Sequence, residues 1–278
     1  MALSAVRDLR DVRPPATAEE LEQFETDVLA GFVLARASAG LADGTIRGAK
    51  DAALRIPPSG PEVKTLFAGW GGEPATCRKF APTARNHTAS KLMSQVGLRV
   101  SEACKLDLAD IKWDLGRFGK LHVRHGKGAR GSGPRERMVP LANGADRTLR
   151  WFIEDVRGQF DDDHTRPGAP LFPSERRCAD GSSGRVGDDA LRGGLKAAAM
   201  AHLPTWGDKL TPHVLRHFCA FELYLGGLDL IAIQEVLGHS WIATTMRCVS
   251  SDFRTRTLRR HLDATVAAAL QAQNGGRA

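Results

Sequence analysis

Apolar residues recur along most of this chain at helical spacing, and one stretch near the middle alternates with period two. Thr17 and Glu20 make a capping box, after which Leu21, Phe24, Val28 and Phe32 keep helical register, so a helix is expected to about Ser38, stopping at Gly40. A second start at Thr45–Arg47 dissolves into Ile56-Pro57-Pro58-Ser59-Gly60-Pro61, which reads as a linker and a domain boundary. Beyond it Val63, Leu66, Phe67 and Trp70 share a helix face. Gly71–Ala84 reads as loop, and Leu92, Met93 and Val96 mark a further helix ended by Gly97. Arg99 then opens a short helix.

Next the period changes. Ile111 and Trp113, then Leu121 and Val123, then Met138–Leu141 form three apolar strips separated by glycine-rich turns, predicting a three-stranded antiparallel sheet. Helices return at Asp146–Val156 and Asp188–His202, with Leu149, Phe152, Ile153 and Val156, then Leu191, Leu195 and Ala199 inward. Asp161–His164 between them reads as an acidic solvated loop; consecutive loop residues rarely converge on one metal ion. Thr211 caps a helix with Pro212 at its first position, and Gly226–Gly227 end it. Val214, Phe218, Phe221 and Leu225 should be its buried stripe, leaving His213 and Arg216 on another face. Asp229–Leu237 is a second short helix, stopped by Gly238 just before His239, and Leu258–Leu270 keep helical register near the end. The fold class is mainly α with a small three-stranded antiparallel sheet.

Composition narrows the function. A net charge of +7 favours a polyanionic partner. Five scattered cysteines without a CxxC pair suggest neither a disulfide framework nor a structural zinc, and point to a reducing cytoplasm. No run is long and apolar enough for a membrane span, and Met1–Arg13 is too charged for a signal peptide. Gly126–Gly131 matches GxGxxG but leads into another strand instead of a helix, so the dinucleotide reading fails. What remains is a hairpin tip presenting Lys127, which suits a DNA backbone, although taken alone it reads first as an ordinary solvated hairpin. His213 and His217, four apart, could suit zinc, yet no HExxH glutamate separates them and Arg216 would repel a cation.

The ordered set GLRVSEACKLDLADI (97–111), HGKGARGSGPRERMVPL (125–141), LTPHVLRHF (210–218) and LGHSWIATTMRC (237–248) resembles the tyrosine recombinase, or phage integrase, family, from roughly Pro57 to Cys248. The resemblance implies a tyrosine recombinase catalytic-domain fold over residues 57–278, with residues 1–56 a shortened helical core-binding-like segment. It implies double-stranded DNA as partner, a possible homotetramer on DNA, and no metal or other cofactor. By it Arg99 and Arg216 hold the scissile phosphate, Lys127 protonates the leaving 5′-oxygen, His213 handles the proton on the attacking hydroxyl, and His239 is the last phosphate contact. Glu102 supports Arg99. Guanidinium forks bind phosphate oxygens bidentately and stabilise the charge of a pentacovalent transition state. In the family a tyrosine attacks phosphorus, giving a 3′-phosphotyrosyl link and a free 5′-hydroxyl. The segment around His239 resembles integrases more than type IB topoisomerases, which use similar chemistry.

The pattern departs at the nucleophile. The family's tyrosine falls nine residues after the position of His239, where this chain has Cys248, and its single tyrosine, Tyr224, lies in the helix of Arg216. A thiol among cations would be acidic, but Sγ lies several ångströms nearer the backbone than a phenolic oxygen, and attack geometry tolerates little misplacement. The expectation is a site-specific recombinase- or integrase-like protein of DNA integration or recombination whose strand exchange is compromised by Cys248. The alternatives are a non-catalytic DNA-binding relative and a decayed remnant.

Overall fold

The computed structural model describes residues 57–73, 77, 79–126, 135–178, 180, 182–239, 244, 245 and 248. The helix expected from Thr17 to Ser38, the segment 1–56, Lys127 and the Leu258–Leu270 stretch lie outside them. The described part is mainly helical, with a small antiparallel sheet of strand order β1-β2-β3: β1 is Ile111–Lys112, β2 Lys120–Gly126 and β3 Arg135–Pro140. Leu121 stands between Ile111 and Val139; these three, with Val123 and Leu141, are the buried members of the strips, while Trp113 is half-buried and Met138 exposed.

Helix α1 (Gly60–Gly72) starts at a capping box in which the Ser59 hydroxyl accepts from Glu62 N–H and the Glu62 carboxylate accepts from Ser59 N–H. Its Val63, Leu66, Phe67 and Trp70 are buried as expected. Helix α2 (Phe80–Val96) begins earlier than expected: the stretch read as loop to Ala84 already includes its first turn. It is surrounded, with α4 (Ala145–Trp151), α5 (Asp188–His202) and α6 (Pro212–Leu225) all packed on it. Its buried positions therefore include Ala84, Thr88, Ala89, Ser90 and Ser94 as well as Leu92, Met93 and Val96. A helix covered on several sides by close neighbours needs small residues rather than one apolar stripe, and that hides its start in the sequence.

Two further expectations are corrected, and one element was not foreseen. The helix expected over Asp146–Val156 is α-helical only through Trp151; Phe152–Val156 is a π turn and Arg157–Phe160 a 3₁₀ turn. The acidic loop is not wholly solvated, because the buried Arg157 holds the Asp162 carboxylate with both Nη atoms, at 2.5 and 2.9 Å, and donates Nε–H to Pro170 O. Pro173–Arg177 (β4) and Ser183–Arg185 (β5) add a two-stranded sheet that had no alternating apolar signal.

Helix α6 has its expected cap, with Thr211 Oγ1 accepting from Val214 N–H at 3.4 Å. Its buried arc is Leu215, Phe218, Cys219 and Ala220, while Val214, Phe221 and Leu225 are only half-buried. The arc is turned because α6 lies between α2 and α7 (Leu230–Leu237), so two neighbours choose the inner side. Arg216 falls within this arc, buried, and His213 is exposed; the open face they were expected to share does not exist. Helix α7 is capped by Asp229, whose carboxylate accepts from Ile231 and Ala232 N–H, and ends at Gly238 with φ +63°. Among the described residues no helix is long and apolar enough to cross a membrane.

Candidate phosphate-binding site

Glu102 is the hub of the site. Arg99 is the N-cap of α3 (Val100–Cys104), and the Glu102 carboxylate, three residues on, accepts from the Arg99 backbone N–H at 2.9 Å. The same local turn brings Arg99 Nη1 to Glu102 Oε1 at 2.6 Å. From β3, Arg137 reaches across and donates Nη1–H and Nη2–H to the two carboxylate oxygens at 2.9 and 2.8 Å. Arg216 Nη1 stands 3.9 Å from Oε2. Three guanidinium groups from remote parts of the chain thus gather around one carboxylate that is 1 % exposed.

The C-terminal end of α7 completes the arrangement. Its last carbonyls lack partners within the helix and carry the negative end of its dipole. Val236 O accepts from Arg137 Nε at 2.9 Å, Leu237 O from Arg216 Nη2 at 2.5 Å, and Gly238 O from Arg99 Nη2 at 3.2 Å. Arg216 also donates to Gly97 O, the αL residue that ends α2. The turn carrying His239 is therefore pinned to all three arginines. His239 is buried, its Nδ1 3.0 Å from Thr245 Oγ1, and its backbone O accepts from Gln234 Nε2.

The electrostatics follow from burial and neighbours. Burial works to raise the Glu102 pKa, but the hydrogen bonds and charge of Arg137, with those of Arg99, outweigh it and hold the carboxyl at about 2. Burial, then the charges of Arg216 and Arg99, push His239 down to about 3, so it is neutral at physiological pH. Burial and Arg99 also lower Arg216, against the opposing pull of Glu102. The Arg99 side chain is 25 % exposed, so one cation of the cluster faces solvent. A positive cluster with an accessible guanidinium edge can bind an anion, and the planar forks match phosphate.

Of the residues singled out in the sequence, the structure brings Arg99, Glu102, Arg216 and His239 together. His213 is on the exposed side of α6, where its Nε2 is 2.8 Å from that of His217, and His217 in turn contributes to the field at His239. Cys248 is buried against Ala220, Ile233 and Leu237, with Tyr224 packed on the same cluster, and its Sγ donates to Thr244 O at 3.2 Å. Among the described residues no three His, Cys, Asp or Glu side chains are grouped to hold a metal ion. Arg137 is the participant that motif reading passed over as one more hairpin cation; its strand position opposite Val123, an inward-facing residue, was the available signal.

Comparison with known proteins agrees with this architecture. Residues 75–254 match the phage integrase family, and the chain belongs to it. It is 37 % identical over 162 residues to tyrosine recombinase XerD of Rhizobium meliloti, covering 58 % of this chain and 45 % of that protein. It is 34 % identical over 188 residues to XerD of Mycobacterium tuberculosis, covering 66 % and 53 %. Tyrosine recombinase XerC of Corynebacterium glutamicum is 35 % identical over 161 residues, covering 58 % and 45 %. The chain spans about half the length of the curated relatives it matches. In fold it is similar to the XerA recombinase (TM-score 0.55, 20 % identity, 90 % of this chain and 85 % of that one). It is similar also to the XerH site-specific recombinase bound to a palindromic difH substrate (TM-score 0.57, 22 % identity, 77 % and 55 %).

Proposed function

We propose that this chain is a site-specific recombinase- or integrase-like protein acting on double-stranded DNA, and that the cluster around Glu102 seats one backbone phosphate. The observation that carries the reading is the convergence of Arg99, Arg137 and Arg216 on a single buried carboxylate beside neutral His239. In this reading Arg99 and Arg216 bind the non-bridging oxygens, His239 offers a neutral hydrogen-bonding group, and Lys127 and His213 serve proton transfer, as the family resemblance implies. Residues 57–278 act as the catalytic-type domain, and residues 1–56 as a core-binding-like segment. Names of the relatives support the assignment: they are tyrosine recombinases, and one similar structure is a recombinase bound to its DNA substrate.

A second reading, a relative that binds DNA without cutting it, is favoured by Cys248. The thiol stands where the family has tyrosine, and it packs against apolar side chains with its hydrogen on Thr244 O. Thiolate attack would form an S–P bond, expel the 5′-oxygen and require a proton for it; a buried short side chain is poorly placed for in-line attack. A nicked suicide duplex tests both readings. Salt-sensitive binding without a covalent adduct is expected for the chain as it stands, and Cys248→Tyr should gain the adduct. Absence of salt-sensitive duplex binding would refute the phosphate-site reading.

A further inference from the structure

Arg137 lies within the 125–141 motif but has no role assigned by the resemblance, yet its side chain makes more hydrogen bonds to the hub than any other. Each of its three nitrogens makes a hydrogen bond: Nη1 and Nη2 to the two oxygens of Glu102, and Nε to Val236 O. An ionised carboxylate offers about four lone-pair sites. At Glu102 they are filled: Oε1 by Arg99 Nη1 and Arg137 Nη1, Oε2 by Arg99 N–H and Arg137 Nη2. Arg216, at 3.9 Å, is left to bond main-chain carbonyls.

We propose that Arg137 is a positioning residue: by saturating Glu102 it keeps that carboxylate from taking a second guanidinium bond from Arg99 and from drawing in Arg216, and by holding the end of α7 it fixes the turn that carries His239. This rests on the phosphate-site reading above. Without Arg137, two of the carboxylate's sites open directly beside Arg99, whose Nη1 is already bonded there. Arg99 then closes on Glu102 as a two-pronged pair, and its charge is spent on the protein instead of a phosphate. Gly238 shows how tightly the second role is built. A Cβ at that position would lie 2.9–3.1 Å from Arg137 Cδ, Nη1 and Nε, so the turn lies flat against the arginine side chain. Arg137 itself is 10 % exposed, with each of its three nitrogens bonded to Glu102 or Val236 O, so it acts through its neighbours and not by touching DNA.

The test compares the full chain with Arg137→Gln, Arg137→Lys and the double variant Glu102→Gln/Arg137→Gln, using a linear mixed-sequence duplex as probe. Loss of one charge-assisted phosphate contact should weaken duplex binding roughly ten- to a hundredfold in Arg137→Gln. Arg137→Lys, which keeps the charge without the fork, should lose most of the same affinity. The double variant should recover binding relative to Arg137→Gln, because the captor is gone, while being no more stable in urea. A merely structural role cannot give that recovery; a double variant that binds no better than the single one overturns the proposal. Nitrogen-15 NMR of the Arg99 guanidinium in DNA-free protein gives a second readout. Slowed rotation of that group in Arg137→Gln is expected, and an unchanged signal overturns the proposal whether or not the chain binds DNA. If the unsubstituted chain fails to bind duplex while Arg99 responds as expected, the phosphate-site reading falls and the positioning role stands.

Discussion

Replacing Glu102 by Gln removes the acid that the three arginines share while nearly preserving shape, so it isolates what the charge contributes. The carboxyl is almost fully buried, and its pKa falls from an ordinary 4.5 to about 2 in the fold. That difference corresponds to about 3 kcal/mol of stability at neutral pH. Breaking a buried ion pair by removing one partner gives the same order, about 3–5 kcal/mol, because the remaining charges lose their counter-ion. The sign follows from the depressed acid: the contribution is complete above the unfolded value near 4.5 and is lost as pH falls toward 2. Urea unfolding of the two proteins should therefore show a gap of about 3 kcal/mol at pH 7 that is constant down to about pH 5 and narrows by about 1 kcal/mol by pH 3.5. A gap under about 1 kcal/mol at pH 7, or one that does not change with acid, would refute the idea that Glu102 is held ionised by the arginines.

Three other perturbations probe the frame that supports the site. Arg157→Ala should cost about 3–5 kcal/mol in urea unfolding, since it strands the buried Asp162 carboxylate, whereas Arg166→Ala, whose contact to Asp180 is 4.0 Å and exposed, should cost under about 1 kcal/mol. Gly97→Ala should destabilise by about 2–4 kcal/mol, because the residue has φ +70° and its new Cβ would meet Leu237 Cδ2 at 2.2 Å; a loss under about 1 kcal/mol would contradict that packing. His87 sits among Phe67, Trp70 and Trp151, and burial pushes its pKa down to about 4. The unfolded chain takes up that proton first, so stability should fall by up to about 3 kcal/mol between pH 6.5 and 4, and His87→Phe should flatten this part of the pH profile.

What the sequence made legible was local and periodic. The three strands, the stop at Gly97, the cap at Thr211 and the end of α7 at Gly238 each follow from one element's own chemistry. The misses arise where neighbours decide. Helix α2 is packed on several sides, so its small polar residues gave no stripe, and α6 turned its inner arc toward α2 and α7, carrying Arg216 inward and leaving His213 out. In the site, the pairing of Arg99 with Glu102 was implied by the family resemblance, and it is made within one local turn. The tie to Arg137 was not legible, because it depends on β3 passing beside α7 at a sequence separation of 35 residues from the carboxylate. Arg157 with Asp162 was hidden for a related reason: a run of acids looks solvated until one of them meets a buried arginine.

The account turns on whether the exposed edge of Arg99 meets a DNA phosphate. The most direct measurement is the affinity of the full chain for linear duplex DNA as a function of salt, set beside Arg99→Ala at matched folding. The account predicts that Arg99→Ala weakens binding about tenfold or more and lowers the slope of log affinity against log salt by about one. Equal affinity and equal slope in the two proteins would contradict it.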